Sequence, residues 1–208
     1  MTSKFLKNKL AVFIVIFLIF VGAMIAYSVK YGPKPTSTPT STPTTPTRIL
    51  LITSMGNITI ELADDMPITT ANFENLTKMG VYDNTIFHRV IQGFMIQGGD
   101  PTGTGLGSPS IATIPDEFTN HNRNDIGTIA MAKKGNANGT VVPNSASSQF
   151  FINVVNNTEQ RPYLDSGYSV FGKVVEGIDV VNEIVSVPVD SNSRPLQDVK
   201  LIKALIIE

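Results

Sequence analysis

The stretch Phe87-His88-Arg89-Val90-Ile91-Gln92-Gly93-Phe94-Met95-Ile96-Gln97-Gly98-Gly99-Asp100 leaves the fold little freedom. It predicts two short strands that turn at Gly93 and stop at a glycine pair. Side chains alternate along a strand, which sets Phe87, Arg89 and Ile91 on one side and His88 and Val90 on the other. In the second strand Met95 and Gln97 share a face, with Phe94 and Ile96 opposite. A guanidinium and an amide thus stand inside apolar strands, where such groups are expensive unless paired or used. A structural salt bridge and a functional site both explain Arg89, and this stretch alone does not choose between them.

The segments on either side add more strands. Residues 49–53 and 58–62 are rich in β-branched residues and flank the turn Met55-Gly56-Asn57, an opening hairpin. Pro67 opens a helix that Thr69 or Thr70 can cap. Phe73, Leu76 and Met79 lie at helical spacing along it, and Gly80 ends it. Further strands are predicted over 127–132, 148–154, 168–174 and 199–207. A second helix is marked by Ile178, Val181 and Val185 and stops before Pro188. About eight short strands with two helices argue for an antiparallel barrel or sandwich, and barrel closure would remove the exposed edges.

The N-terminal quarter is of another kind. Residues 1–9 are basic, residues 10–29 are apolar and uncharged, and residues 30–47 are rich in threonine and proline. The apolar run is long enough to cross a bilayer as a single helix. Lys4, Lys7 and Lys9 before it favour a cytoplasmic N-terminus and an extracytoplasmic domain, as a signal anchor in the cell membrane. The alternative is a cleaved signal peptide and a secreted protein, with Val21-Gly22-Ala23 as the processing site. The Thr/Pro segment reads as an extended spacer, and residues 48–208 form the folded domain.

Composition removes several function classes. Five of the 16 basic residues precede residue 48, where there is no acid, so the domain holds 11 against 17 acidic residues, a net charge of −6. That sign disfavours nucleic acid as a partner. With no cysteine and two histidines, a zinc site is not expected. The glycine-rich loop Thr102-Gly103-Thr104-Gly105-Leu106-Gly107 lacks the lysine and the strand–loop–helix setting of a phosphate loop. Asp64-Asp65 and Asp116-Glu117 read as solvated turn carboxylates rather than a glycosidase pair. No cofactor is expected.

Taken in order, Phe87-His88-Arg89-Val90-Ile91, Gly93-Phe94-Met95-Ile96-Gln97-Gly98-Gly99-Asp100, Gly127-Thr128-Ile129-Ala130-Met131-Ala132, Ser148-Gln149-Phe150-Phe151-Ile152 and Val170-Phe171-Gly172-Lys173-Val174 resemble the cyclophilin family of peptidyl-prolyl cis-trans isomerases. The likeness covers essentially all of 48–208 and looks most like the compact prokaryotic type. It implies a closed eight-stranded antiparallel β-barrel capped by two α-helices, mainly β, with a groove on the outer face. Preceded by the transmembrane helix, that barrel is the expected architecture.

Carried over, the resemblance places the catalytic arginine at Arg89, with Gln97 orienting it. It places a proline pocket at Phe94, Met95, Phe151 and Leu164, a second groove glutamine at Gln149, and Ala132 and the Lys133 backbone along the bound peptide. Tyr168 and Tyr163 stand where many members carry a histidine and a tryptophan. The chain has no tryptophan, so only weakened cyclosporin binding is expected. Residues 135–144 look like a loop insertion beside the groove. The expected partners are proline-containing polypeptides, met by a monomer at the membrane surface during the folding of exported proteins. A non-catalytic proline-peptide binding module or holdase is the alternative.

Rotation about an Xaa-Pro amide has a barrier of about 18–20 kcal/mol because it breaks partial double-bond character. No bond to another group forms or breaks, so catalysis needs only preferential binding of the twisted amide. Twisting localises the lone pair on the proline nitrogen, and a fixed guanidinium can donate to it. His88, on the face predicted opposite Arg89, reads as structural, since this reaction transfers no proton. His121 lies in a polar loop and reads as solvated.

Overall fold

The computed structural model describes residues 46–119, 121–136 and 140–207. The expected basic segment, transmembrane helix and most of the Thr/Pro spacer lie outside the described residues.

Nine strands form one curled antiparallel sheet: β1 (Arg48–Thr53), β2 (Gly56–Leu62), β3 (Thr85–Ile86), β4 (Arg89–Ile91), β5 (Met95–Gly98), β6 (Thr128–Met131), β7 (Phe150–Asn153), β8 (Val170–Glu176) and β9 (Lys200–Ile206). Their spatial order is β3-β9-β1-β2-β8-β6-β7-β5-β4. The expected closed eight-stranded barrel is therefore corrected to nine strands with two edges. Residues 87–91, read as one strand, belong to both edges. The chain leaves β9 after Phe87, whose N–H donates to Val199 O at 2.9 Å, and from Arg89 it pairs with β5 instead. The ring is completed by the covalent bend Phe87-His88, with no ladder between β3 and β4.

Among the described residues four helices accompany the sheet: α1 (Pro67–Lys78), α2 (Asn157–Gln160), α3 (Tyr163–Gly167) and α4 (Ile178–Val185). The sequence predicted α1 and α4. Neither Thr69 nor Thr70 caps α1 in the way expected. The first residue of the helix is Pro67, and the open N–H groups of Ile68 and Thr69 donate to the Glu117 carboxylate at 3.2 and 2.9 Å. A carboxylate suits this position because the helix N-terminus carries partial positive charge. Glu117 is thus a cap held in trans, not a solvated turn residue. Met79 also departs from expectation: it follows the helix end and is 74% exposed.

Alternation along the strands divides apolar side chains into two clusters. Inside the curl, Phe73 of α1 stacks among Tyr82, Phe150 and Phe171, with ring centroids 4.8, 5.6 and 5.0 Å away. Ile49, Leu51, Ile58, Ile60 and Ile129 fill the rest of that core and are fully buried. On the outer face lies a smaller cluster of Met95, Ala130, Ala132 and Phe151, with Ile91, Phe94, Tyr168 and Val170 packed against it. β7 serves both, Phe150 and Ile152 pointing inward and Phe151 outward. The outer cluster is the floor of the functional site.

Candidate active site

Strand register lines up the site. Arg89 is opposite Gln97 across β4 and β5, Gln97 is opposite Phe151 across β5 and β7, and Phe151 is opposite Ala130 across β7 and β6. Adjacent strands lie about 4.8 Å apart, so these four residues form a row crossing the outer face. Two residues along each strand, Met95 lies opposite Ile91 and beside the row.

The polar members are connected. Arg89 Nη1 donates to Gln97 Oε1 at 3.3 Å, Gln97 Nε2 donates to Gln149 Oε1 at 2.9 Å, and Gln149 Nε2 donates to Gly105 O at 3.1 Å. A guanidinium has five N–H donors, so this chain orients Arg89 while leaving others for a ligand. Arg89 carries no ion pair among the described residues, which answers the salt-bridge alternative left open by the sequence. The residue is exposed, yet the walls around its head desolvate it enough to lower its pKa, and Tyr168 opposes that shift.

The cleft over this row has a volume of about 540 Å³. Its walls include Arg89, Phe94, Met95, Gln97, Ala132, Lys133, Phe151, Leu164 and Tyr168. Phe151 and Tyr168 meet edge to face at 5.4 Å between centroids. Burial raises the Tyr168 pKa, with a further contribution from Tyr163. Gln149 lines an adjoining hollow of about 340 Å³, which shares Gln97, Gly105, Leu106, Ala132 and Lys133 with the cleft. Tyr163 is 64% exposed and is not part of either wall. The structure therefore gathers ten of the eleven sequence-predicted site residues and leaves Tyr163 outside.

Lys133 contributes its backbone side only. Its side chain is buried, with Nζ 2.6 Å from Asp116 Oδ2 and 3.0 Å from Gly167 O. Asp116 in turn accepts the Asn144 N–H and donates its own N–H to Asn144 Oδ1. Asp116, expected to be solvated, thus ties Lys133, two residues before the 135–144 insertion, to Asn144 at its end. Within that insertion Gly135 and Val141 form a β-bridge.

Alternation misplaced two residues. His88 was predicted on the face opposite Arg89, and Phe94 opposite Met95, yet all four line the cleft. The two-residue period holds only inside a strand, and both His88 and Phe94 lie just before one, in a bend and a turn. His88 is 8% exposed, and burial lowers its pKa, opposed by Asp100 and aided by Arg194 and Arg89.

Other wall residues carried no sequence signal. Asp190, Asn192 and Arg194 come from the loop before β9, where Asp190 Oδ1 accepts the N–H groups of Asn192 and Arg194. Arg194 Nη1 reaches across to Gly103 O at 3.0 Å. The glycine-rich loop curls around its own acid: Asp100 accepts N–H groups from Thr102, Gly105 and Gly107. Burial alone would raise the Asp100 pKa, but these N–H donors and the Thr102 hydroxyl outweigh it and hold the pKa low. Those N–H groups are turned inward and are not offered to a phosphate. Among the described residues no three His, Asp or Glu side chains are grouped as a metal site.

Residues 48–206 match the family described as cyclophilin type peptidyl-prolyl cis-trans isomerase/CLD. The chain is 42% identical over 163 residues to peptidyl-prolyl cis-trans isomerase ppi1 of Schizosaccharomyces pombe, covering 76% of this chain and 97% of the relative. It is also 42% identical over 165 residues to peptidyl-prolyl cis-trans isomerase CYP71 of Arabidopsis thaliana, covering 77% of this chain but only 24% of that longer protein. A crystal structure of a Cryptosporidium parvum cyclophilin type peptidyl-prolyl cis-trans isomerase superposes with a TM-score of 0.70 at 34% identity, covering 79% of this chain and 99% of the other. The same protein has a structure in the presence of the dipeptide ala-pro. These relatives are eukaryotic, so the expected likeness to the prokaryotic type gains no support from them. From residue 48 to residue 206, this chain belongs to the cyclophilin-type peptidyl-prolyl cis-trans isomerase family.

Proposed function

We propose that the cleft takes a proline-containing polypeptide and eases rotation about its Xaa-Pro bond. The observation that carries this reading is the row Arg89, Gln97, Phe151, where a guanidinium steered by an amide chain adjoins an apolar slot. Phe94, Met95, Phe151 and Leu164 grip the pyrrolidine ring. Arg89 donates to the proline nitrogen as the amide twists, and backbone groups of Ala132 and Lys133 steady the peptide. By analogy with the donors of an oxyanion hole, one positioned donor is worth about 2.7–4 kcal/mol. The related Cryptosporidium structure with ala-pro supports a proline peptide as the occupant.

The apolar run 10–29 supports attachment to the membrane, with the domain on the outer side assisting the folding of exported proteins. The protein acts there as a monomer and binds cyclosporin weakly. Isomerisation of a proline peptide by the full chain in detergent, followed by exchange NMR, tests the catalytic part. Binding without faster exchange would replace it with the holdase reading. External protease added to intact cells tests the topology, and a protected domain would overturn it.

A further inference from the structure

The chain has five arginines, all among the described residues. Three are paired with carboxylates: Arg48 with Glu61 at 3.1 Å, Arg123 with Asp125 at 2.8 Å, and Arg194 with Asp198 at 3.1 Å. The two without a carboxylate at ion-pair distance among the described residues, Arg89 and Arg161, meet at one aromatic ring. The Arg161 guanidinium carbon is 4.6 Å from the Phe94 centroid and that of Arg89 is 6.0 Å away. In a domain of net charge −6, two unneutralised guanidiniums on one ring at the edge of a binding cleft are a local reversal of sign.

Arg161 is held there by its surroundings. Its Nη1 donates to Asn157 Oδ1 at 2.7 Å and to Gln160 Oε1 at 3.3 Å. Asn157 is fully buried, and its Nδ2 donates to Phe94 O at 2.9 Å and to Asn153 Oδ1 at 2.7 Å. The Arg161 carbonyl accepts the N–H of Leu164, the pocket residue of α3, at 2.9 Å. One arginine is therefore tied to two walls of the proline slot, while its Nε and Nη2 donate to no described residue. Asp165, four residues on, makes no ion pair with it; its Oδ1 accepts from Asn124 and Thr158 instead.

We propose that Arg161 is a specificity residue that selects prolines with a carboxylate side chain on an adjoining residue of the peptide. A planar guanidinium with two free donor positions suits a carboxylate, and its place over the Phe94 ring leaves those donors unused. The inference rests on the isomerase reading above and names the substrate class for that same cleft.

The test uses the full chain in detergent and peptides in two pairs, with Glu or Gln either before or after the proline. For each pair the ratio of kcat/KM between Glu and Gln peptides is measured in the natural protein, in Arg161→Met and in Arg161→Lys. The expected ratio is roughly three- to tenfold in at least one pair, carried by KM and shrinking at high salt. Arg161→Met keeps an unbranched stem against Phe94 and brings the ratio to about one, whereas Arg161→Lys retains part of it. A ratio near one in both pairs for the natural protein, or a preference that survives in Arg161→Met, would overturn the inference. Peptide affinities from chemical-shift titration run in parallel. A protein that binds without catalysing would sink the isomerase reading, and the Glu-to-Gln affinity ratio would still decide the role of Arg161.

Discussion

Arg89 and Gln97 are directly opposed across the β4–β5 ladder, and the only hydrogen bond from the arginine's side chain to a described residue runs to the glutamine's side-chain oxygen at 3.3 Å. An arginine with one long neutral contact keeps most of its donors for a substrate. Replacing it removes the charge without opening the core, because the inner face of β4 is carried by Val90. Arg89→Ala is expected to lower kcat/KM by about a hundredfold or more, with little change in unfolding midpoint. Arg89→Lys also impairs, because a point charge replaces the planar fork. Retention of near-full turnover by a folded Arg89→Ala protein would dismiss this role.

Gln97 works through both ends of its amide. Its oxygen accepts from Arg89 and its nitrogen donates to Gln149, which is itself spent on Gly105 O. Gln97→Ala frees the guanidinium to wander and is expected to cut kcat by about tenfold. Gln97→Glu turns the contact into an ion pair and sets a carboxylate against the Gln149 oxygen, so it is expected to impair at least as much. The check is steady-state kinetics with a kcat and KM split, together with the Arg89 side-chain NMR signal, which should broaden in Gln97→Ala and sharpen in Gln97→Glu.

The Lys133–Asp116 pair makes a prediction about stability. Their side chains are 4% and 14% exposed, and Asp116 Oδ1 already lacks a partner among the described residues. Lys133→Ala strands a buried carboxylate and is expected to destabilise the fold by about 3–5 kcal/mol. The double variant Lys133→Met with Asp116→Asn should recover most of that loss, because no buried charge remains unpaired. Denaturant unfolding of the two variants beside the natural protein reads the difference, and equal losses in the single and double variants would count against the pairing.

The third observable is pH. Burial holds the folded-state pKa of His88 below its ordinary 6.5. As pH falls through 6.5, the unfolded chain takes up a proton that the folded protein still refuses, so stability declines until the folded pKa is passed. Asp100, Glu61 and Asp125 have lowered pKa values, so their stabilisation is lost only in more acidic solution. Melting temperature should therefore drop between pH 7 and the onset of carboxylate titration, and His88→Gln should flatten that slope. An unchanged slope in the variant would assign it elsewhere.

The sequence revealed the site where chemistry is strand-borne and hid it where partners meet through loops. Arg89, Gln97, Met95 and Phe151 were legible through the cyclophilin resemblance of the strands that carry them, and their strand register sets them side by side as it implied. Alternation failed at His88 and Phe94, one residue outside their strands. Glu117 gave no sign of capping α1, since its partner Thr69 lies 48 residues upstream. Arg161 looked like any loop arginine until folding laid it on Phe94. Helices of four and five residues, α2 and α3, are too short to show a 3.6-residue rhythm. The barrel was recognised but its closure was overstated, because nothing in residues 87–91 announces that the chain changes neighbours partway.

That change of neighbours has a mechanical consequence. β4 has a single ladder, to β5, and its other side is held by the lone bond from Val90 N to Ser193 O at 2.8 Å. The ribbon bearing the guanidinium is thus hinged on one flank and buttoned at one point on the other. Its backbone is tied down less than that of β7, which is paired on both flanks and carries Phe150 into the interior against Phe73.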